Sequence, residues 1–418
     1  MPVYHQIATM SHKAIDSTDF DKTYFSAKGA SAEAFVHNLT EKSMFSDWCY
    51  RNPMLKPGTE LCDMLVVFDD IVIIMQIKDL KLKKDGTPNT KDQAKNIKQL
   101  HGAYRQLMEL KTPVKLTNPR RGDEMFDPIS VKRVFMISIL TGETSDVECY
   151  EISDKAIVHV FDREFTEIVM NELDTVVDLL AYLDQKEKVL RGGSTIKLRD
   201  GEKDFLAYFI NQKRNLSDIA DNTTLVINED IWQQYETAND VIAKREADRI
   251  SYAWDSLIEM SHTSGGEYER IAREFARVKR FDRRMYGQAL VDGFNEAQVV
   301  LTNPKLNAFR RVMFLENQNL TVVICYYDDP KETKDGLKAQ LLGMAHIARV
   351  KFPTNTKVIG VGSDITAGFS GSFTFLYFEQ DELTKEYIED VQRWQNQTKV
   401  FTNLNIQAVS ADEYPSAK

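Results

Sequence analysis

Apolar residues recur along this chain in two rhythms. In ELCDMLVVFDDIVIIMQIKD, residues 60–79, two short runs rich in β-branched residues flank Asp69-Asp70 and predict a β-hairpin. Ahead of it, residues 31–44 place Ala34, Phe35 and Leu39 at helical spacing behind Ser31 as N-cap, and NPMLKPG (52–58) is turn chemistry. After it come the polar loop KLKKDGTPNT, a helix from about Lys91 to Leu110, and the strand VKRVFMISIL (131–140). Residues 164–188 carry one amphipathic stripe of Phe165, Ile168, Val169, Leu173, Val176, Leu179, Leu180 and Leu183. The glycine- and charge-rich RGGSTIKLRDGEK (191–203) is the expected linker. The second half opens helical, then repeats the order hairpin, helix, strand in RRVMFLENQNLTVVICYYDD, residues 335–350 and TKVIGVGSD. That order is either a decayed internal repeat or a common supersecondary arrangement, the latter favoured since no residue-level repeat accompanies it, and its strands carry no acid and lysine to which chemistry could be assigned.

These elements imply an α/β (α+β) chain: an N-terminal domain over 1–190 with its core at about 28–140 and a helical extension at 160–190, the linker, and a mixed α/β domain over 204–418. With Asp69-Asp70 as a two-residue turn, for which aspartate tolerates the left-handed backbone, Phe68 faces Ile71 and Asp63 faces Gln76. Facing residues share one side of the sheet, with Cβ atoms roughly 4.5–5.5 Å apart. Lys78, two residues on, falls on that same side, while Ile77 points the other way with Met75 and Ile73. An aspartate, an amide and an ammonium therefore gather at the open end of the hairpin. A longer turn would shift the register by one residue and break the alignment.

Composition changes this picture little. The chain has 418 residues and a net charge of −10, which argues against coating nucleic acid through global charge but leaves room for a local basic face. No apolar run approaches the roughly 20 residues of a membrane span, and the N-terminus lacks the pattern of a secretory signal. Cys49, Cys62, Cys149 and Cys325 are scattered without zinc or redox spacing, so free thiols in the cytoplasm are expected. The histidines show no metal-ligand spacing, and there is no Walker loop, dinucleotide fingerprint or nucleophile elbow.

The chemistry that suits the hairpin cluster is a hard divalent cation, Mg2+ or Mn2+, held by oxygen ligands from Asp63 and Gln76, with substrate phosphate and water completing the set. Lys78 is then placed to orient the attacking water or to stabilise the extra charge of the transition state. An acid on one strand, a second strand ending in Gln76-Ile77-Lys78, and then a helix and another strand resemble the core of the PD-(D/E)XK, or restriction-endonuclease-like, nuclease superfamily. The nearest likeness is to its type IV restriction branch, whose members also use Gln in this slot. The likeness spans about residues 28–140, roughly a quarter of the chain. It implies a metal-dependent endonuclease acting on DNA, in restriction or defence against foreign DNA, with Glu33 on the preceding helix as a further metal ligand. Glutamine in place of a carboxylate removes one unit of ligand charge, so the same residues also allow an inactive nuclease fold that only binds or senses nucleic acid.

Two cationic faces fit a nucleic-acid partner. Lys91, Lys95, Lys98 and Arg105 line one side of the helix after the hairpin, with Lys84 in the loop before it. In YERIAREFARVKRFDRRM (268–285), Arg270, Arg273, Arg277, Arg280 and Arg284 recur every three or four residues opposite an apolar stripe. Glu269 lies four residues before Arg273, so helix-internal ion pairing competes with phosphate contact. The 164–190 and 268–285 helices could instead mediate assembly as a homo-oligomer, which makes a structural role the remaining alternative.

Overall fold

The computed structural model describes residues 32–44, 46–56, 58–80, 90–142, 148–153, 156–263, 268–315, 318–328, 334–369, 373–404 and 411–416. A helix, α1 (Ala32–Met44), and a short strand, β1 (Cys49–Arg51), precede the hairpin of β2 (Met64–Phe68) and β3 (Ile71–Leu80). The turn is the two residues Asp69 and Asp70, with Asp69 at φ 55°, the left-handed region that such a turn demands. Helix α2 (Thr90–Glu109) leads to β4 (Arg133–Gly142), and β5 (Tyr150–Ser153) and β6 (Ala156–Asp162) follow. The six strands form one sheet in the order β1-β2-β3-β4-β6-β5, in which β3, β4 and β6 run parallel and the other pairings are antiparallel.

The parity of the strands sets the layers. Leu65, Val67, Val72, Ile74, Leu80, Met136 and Leu140 share one face with Ile97, Leu100, Ala103 and Leu107 of α2 in a single core cluster. On the opposite face Thr40 of α1 donates to Met75 Sδ at 3.8 Å. The amphipathic stretch at 164–188 is two helices, α3 (Arg163–Glu172) and α4 (Val176–Arg191), because Thr175 caps the second by accepting from the Asp178 N–H.

The chain divides into two compact units, one within residues 15–242 and one within 243–418. The break therefore comes after Ile242, not in the expected linker. Residues 191–203 hold β7 (Thr195–Leu198), which pairs in parallel with β8 (Thr224–Ile227), and their glycines make the turns around it: Gly193 has φ +77° and Gly201, just ahead of α5 (Glu202–Asn211), has φ +115°.

Charge is buried behind the first sheet. Lys186 is fully buried and donates to Glu202 Oε1 at 2.5 Å and to the Cys149 carbonyl at 2.8 Å, while Tyr182 donates to the same Glu202 oxygen. His159 of β6 is also fully buried, 3.4 Å from Glu187, whose other oxygen accepts from Arg133 and Arg191.

In the second unit, helices α6 (Tyr252–Thr263), α7 (Glu269–Ala276) and α8 (Arg280–Val300) precede a four-stranded sheet of β9 (Ala308–Leu315), β10 (Leu320–Tyr327), β11 (Lys357–Asp364) and β12 (Phe373–Glu379), in that order. Here β9 and β10 are antiparallel, β10 and β11 parallel, and α9 (Lys334–Lys351) connects the parallel pair, as α2 connects β3 and β4. Aligned on their closing pairs, Phe68 with Ile71 and Leu315 with Leu320, the hairpins put Arg310, Cys325 and Tyr327 where the first has Asp63, Gln76 and Lys78. Both units are mixed α/β. Among the described residues no helix is long and apolar enough to cross a membrane.

Candidate functional site

The hairpin register runs from Phe68–Ile71 to Met64–Met75, so Asp63 stands one step beyond the last pair, opposite Gln76. Their side chains meet there. Gln76 Nε2 donates to Asp63 Oδ2 at 2.7 Å, and the Ile77 N–H donates to the same oxygen at 2.5 Å. Both side chains are only 8% exposed. Two donors on one carboxylate oxygen fix the side chain, and Oδ1 takes part in neither bond. The main chain of Asp63 is anchored as well: its carbonyl accepts from the Asn52 N–H at 3.0 Å and lies 2.9 Å from His37 Nε2 on α1.

On the α2-covered face of β3 the residues read Val72, Ile74, Gln76, Lys78, Leu80, so a polar pair interrupts an apolar row. Burying an amide and a carboxylate inside such a face costs free energy unless each is bonded or used. Gln76 is bonded to Asp63. Lys78 is half-buried and lies next along the same face, two residues before the strand ends at the buried Leu80.

The opposite wall is α2. Asn96, fully buried, donates through Nδ2 to the Gln76 main-chain carbonyl at 3.1 Å and to Ser138 Oγ on β4 at 2.8 Å. Ser138 is the register partner of Gln76 across the parallel pair. Because α2 connects β3 to a parallel neighbour, it runs back over the sheet. Lys91, Lys95, Lys98 and Arg105 are all exposed on its outer side.

Of the expected metal ligands, Asp63 and Gln76 come together. Glu33 lies in α1, one turn before His37, but its side chain is outside the described residues, as is the whole of Lys84. Among the described residues, no group of three or more His, Cys, Asp and Glu is placed to hold a metal ion. One carboxylate and one amide carbonyl are a sparse set, which still fits a hard cation that takes the rest of its ligands from water and phosphate.

The arginine stripe is used internally. It is not one helix: α7 ends at Ala276 and α8 starts at Arg280. Arg273 pairs with Glu269 at 2.6 Å and Arg277 with Glu274 at 2.6 Å. Arg280 is buried against Asp255 at 2.8 Å, and Arg284 is buried against Asp248 at 2.7 Å while donating to the carbonyls of Asp412 and Glu413. Arg280 and Arg284, buried in these pairs, are not displayed to a polyanion, whereas Arg273 and Arg277 are paired but part-exposed, and α2 displays four exposed cations.

His37, Asn52, Asn96 and Ser138 are the site residues that sequence reasoning missed. The signal for Asn96 was its place in the stripe Asn96, Leu100, Ala103, Leu107 at spacings of 4, 3 and 4, a lone amide on the buried side of α2. Comparison with protein-family models, with curated proteins and with solved structures finds no match for the chain.

Proposed function

We propose that the first unit is a metal-dependent nuclease that hydrolyses phosphodiester bonds, with DNA as substrate and restriction or defence against foreign DNA as its setting. The observation that carries this reading is the contact of Asp63 and Gln76 at the open end of the hairpin, with Lys78 next along the same face. The DNA substrate and the defence role extend from the resemblance to the restriction-endonuclease-like superfamily.

Asp63 would supply the carboxylate ligand and the Gln76 side-chain carbonyl a neutral one, with Glu33 as the third ligand the resemblance implies. A bound Mg2+ or Mn2+ supplies charge neutralisation at the scissile phosphate and a water acidified for attack. The two N–H donors hold the Asp63 carboxylate in one orientation, so little reorganisation accompanies substrate arrival. Lys78, half-buried on the same face, can place its ammonium against a phosphate oxygen and offset the negative charge that builds in the transition state. Lys91, Lys95 and Lys98 supply the sequence-independent grip on the backbone.

A second reading draws on the same hydrogen bond. With its amide turned onto Asp63, Gln76 closes the pair without a cation, as a fold that binds nucleic acid without cutting it would require. The test is to incubate wild type, Lys78→Ala and Asp63→Asn with supercoiled plasmid, linear DNA and single-stranded RNA, in Mg2+, Mn2+ or EDTA. Cutting by wild type that needs the metal and falls by about a hundredfold or more in Lys78→Ala is the expected result. Binding without cutting in either metal would favour the second reading.

A further inference from the structure

Asn96 is the buried polar group the proposed chemistry leaves unused. Its Nδ2 bridges two strands, reaching the Gln76 carbonyl on β3 at 3.1 Å and Ser138 Oγ on β4 at 2.8 Å. Its Oδ1 is buried and has no hydrogen-bond partner. An orphaned buried carbonyl costs free energy comparable to a lost hydrogen bond, and such groups in native proteins mark strain, function or an unseen water or ion. Apolar packing alone would be better served by leucine, since Ile97, Leu100, Ala103 and Leu107 around it complete the core.

The position of Asn96 gives that cost a use. The carbonyl it grips belongs to Gln76, whose side chain leaves the same Cα to meet Asp63. The next peptide N–H, that of Ile77, is the second donor to Asp63. The amide of Asn96 thus restrains the peptide between residues 76 and 77, which carries a donor of the carboxylate on one side and Lys78 one residue further on. We infer that Asn96 is a positioning residue of this site: it fixes the Gln76–Ile77 peptide against Ser138, and its remaining carbonyl oxygen accepts a hydrogen bond from water held in the site. The inference rests on the nuclease reading of the Asp63 cluster and names a residue through which α2 controls it.

The experiment measures wild type, Asn96→Ala and Ser138→Ala in parallel, by thermal melting against Mn2+ concentration and by steady-state cleavage of plasmid DNA. Urea unfolding of each variant measures its folded fraction. The expected result for Asn96→Ala is about a tenfold rise in the Mn2+ concentration that gives half the stabilising shift, the size usual when a group holding a metal ligand is removed. With it goes a comparable fall in kcat at an unchanged KM for DNA. Ser138→Ala, which removes only the far anchor, should move both readings the same way by less, and it serves alone should Asn96→Ala fail to fold. Unchanged Mn2+ half-saturation in a folded variant overturns the inference, as does a loss of activity that the folded fraction fully explains. If wild type binds Mn2+ without cutting and the variants weaken that binding, the nuclease reading fails while the role of Asn96 stands. If wild type cuts and the variants match it, the reverse holds. A wild type that shows neither a Mn2+ shift nor cutting overturns both.

Discussion

Position 76 balances two demands on one residue. A carboxylate there would add ligand charge but would set two anions against each other across the hairpin, where Gln76 and Asp63 now share a hydrogen bond of 2.7 Å. Gln76→Glu should therefore melt below wild type in EDTA and gain more from Mg2+ than wild type does, and differential scanning fluorimetry with and without the metal reads both changes. A larger metal-free stability in the variant would contradict the geometry described for the pair. His159 sets a different balance. Burial pushes its pKa down from 6.5 to about 4, opposed by Glu187 and assisted by Lys186 and Arg133. The folded state thus resists a proton that the unfolded chain accepts near pH 6.5, so stability is intact above that pH and is lost as the pH falls from 6.5 toward 4. Between pH 7.5 and 5 wild type should lose about 2 kcal/mol more than His159→Gln, which cannot titrate, as read from urea midpoints at the two pH values. The facing of Asp63 and Gln76 was legible in the sequence because a two-residue turn and the period of two leave one register. Asn96 was not, because its bonds cross from a helix to two strands up to 42 residues away.

Among the elements, the same contrast between local and distant partners decides what could be read. The hairpin, α2 and β4 follow from periodicity and turn residues within a few positions of one another. The helical pair α3 and α4 carries an unbroken apolar stripe, and only the cap at Thr175, a one-residue signal, separates them. β7 looked like linker because its glycines and charges are local, whereas its parallel partner β8 begins 29 residues later at Thr224. Arginine spacing in 268–285 correctly marked a helical period, but spacing cannot tell solvent from ion-pair partners. Asp255 and Asp248 lie 25 to 36 residues before the arginines they bind, and that distance turns an expected phosphate track into a packing device. Arg283, absent from the expected track, is the most deeply held: fully buried, it donates to Asp255 and to the carbonyls of Val278 and Ala276. Removing one partner from such a network leaves an uncompensated buried charge, so these arginines belong to the stability of the second unit.

For the whole molecule, a net charge of −10 repels a polyanion, and any grip on one must come from a local surface that outweighs it. The outer side of α2 is such a surface: three lysines and an arginine, all exposed, on the helix whose Asn96 bonds the Gln76 carbonyl. The second unit has the same antiparallel-then-parallel strand order, but Arg310, Cys325 and Tyr327 stand at the corresponding positions, so it offers no second cluster of the Asp63 kind. Binding and cutting are therefore both expected to depend on the first unit and to respond to salt through α2. Each lysine that meets a phosphate releases condensed counterions, which steepens the fall of log K with log salt concentration by about 0.9 on duplex DNA. Changing Lys91, Lys95 and Lys98 together to Gln should flatten that slope by up to about 2.7 while leaving the urea midpoint in place, since none of the three supports the core. Fluorescence anisotropy of a labelled duplex between 50 and about 300 mM salt measures the slope. An unchanged slope would place the contact surface elsewhere on the chain. Arg284→Gln makes the counterpart: with Asp248 left buried and unpaired it should lower the urea midpoint and leave the slope alone. The two variants together separate a cation that meets the ligand from one that holds the fold.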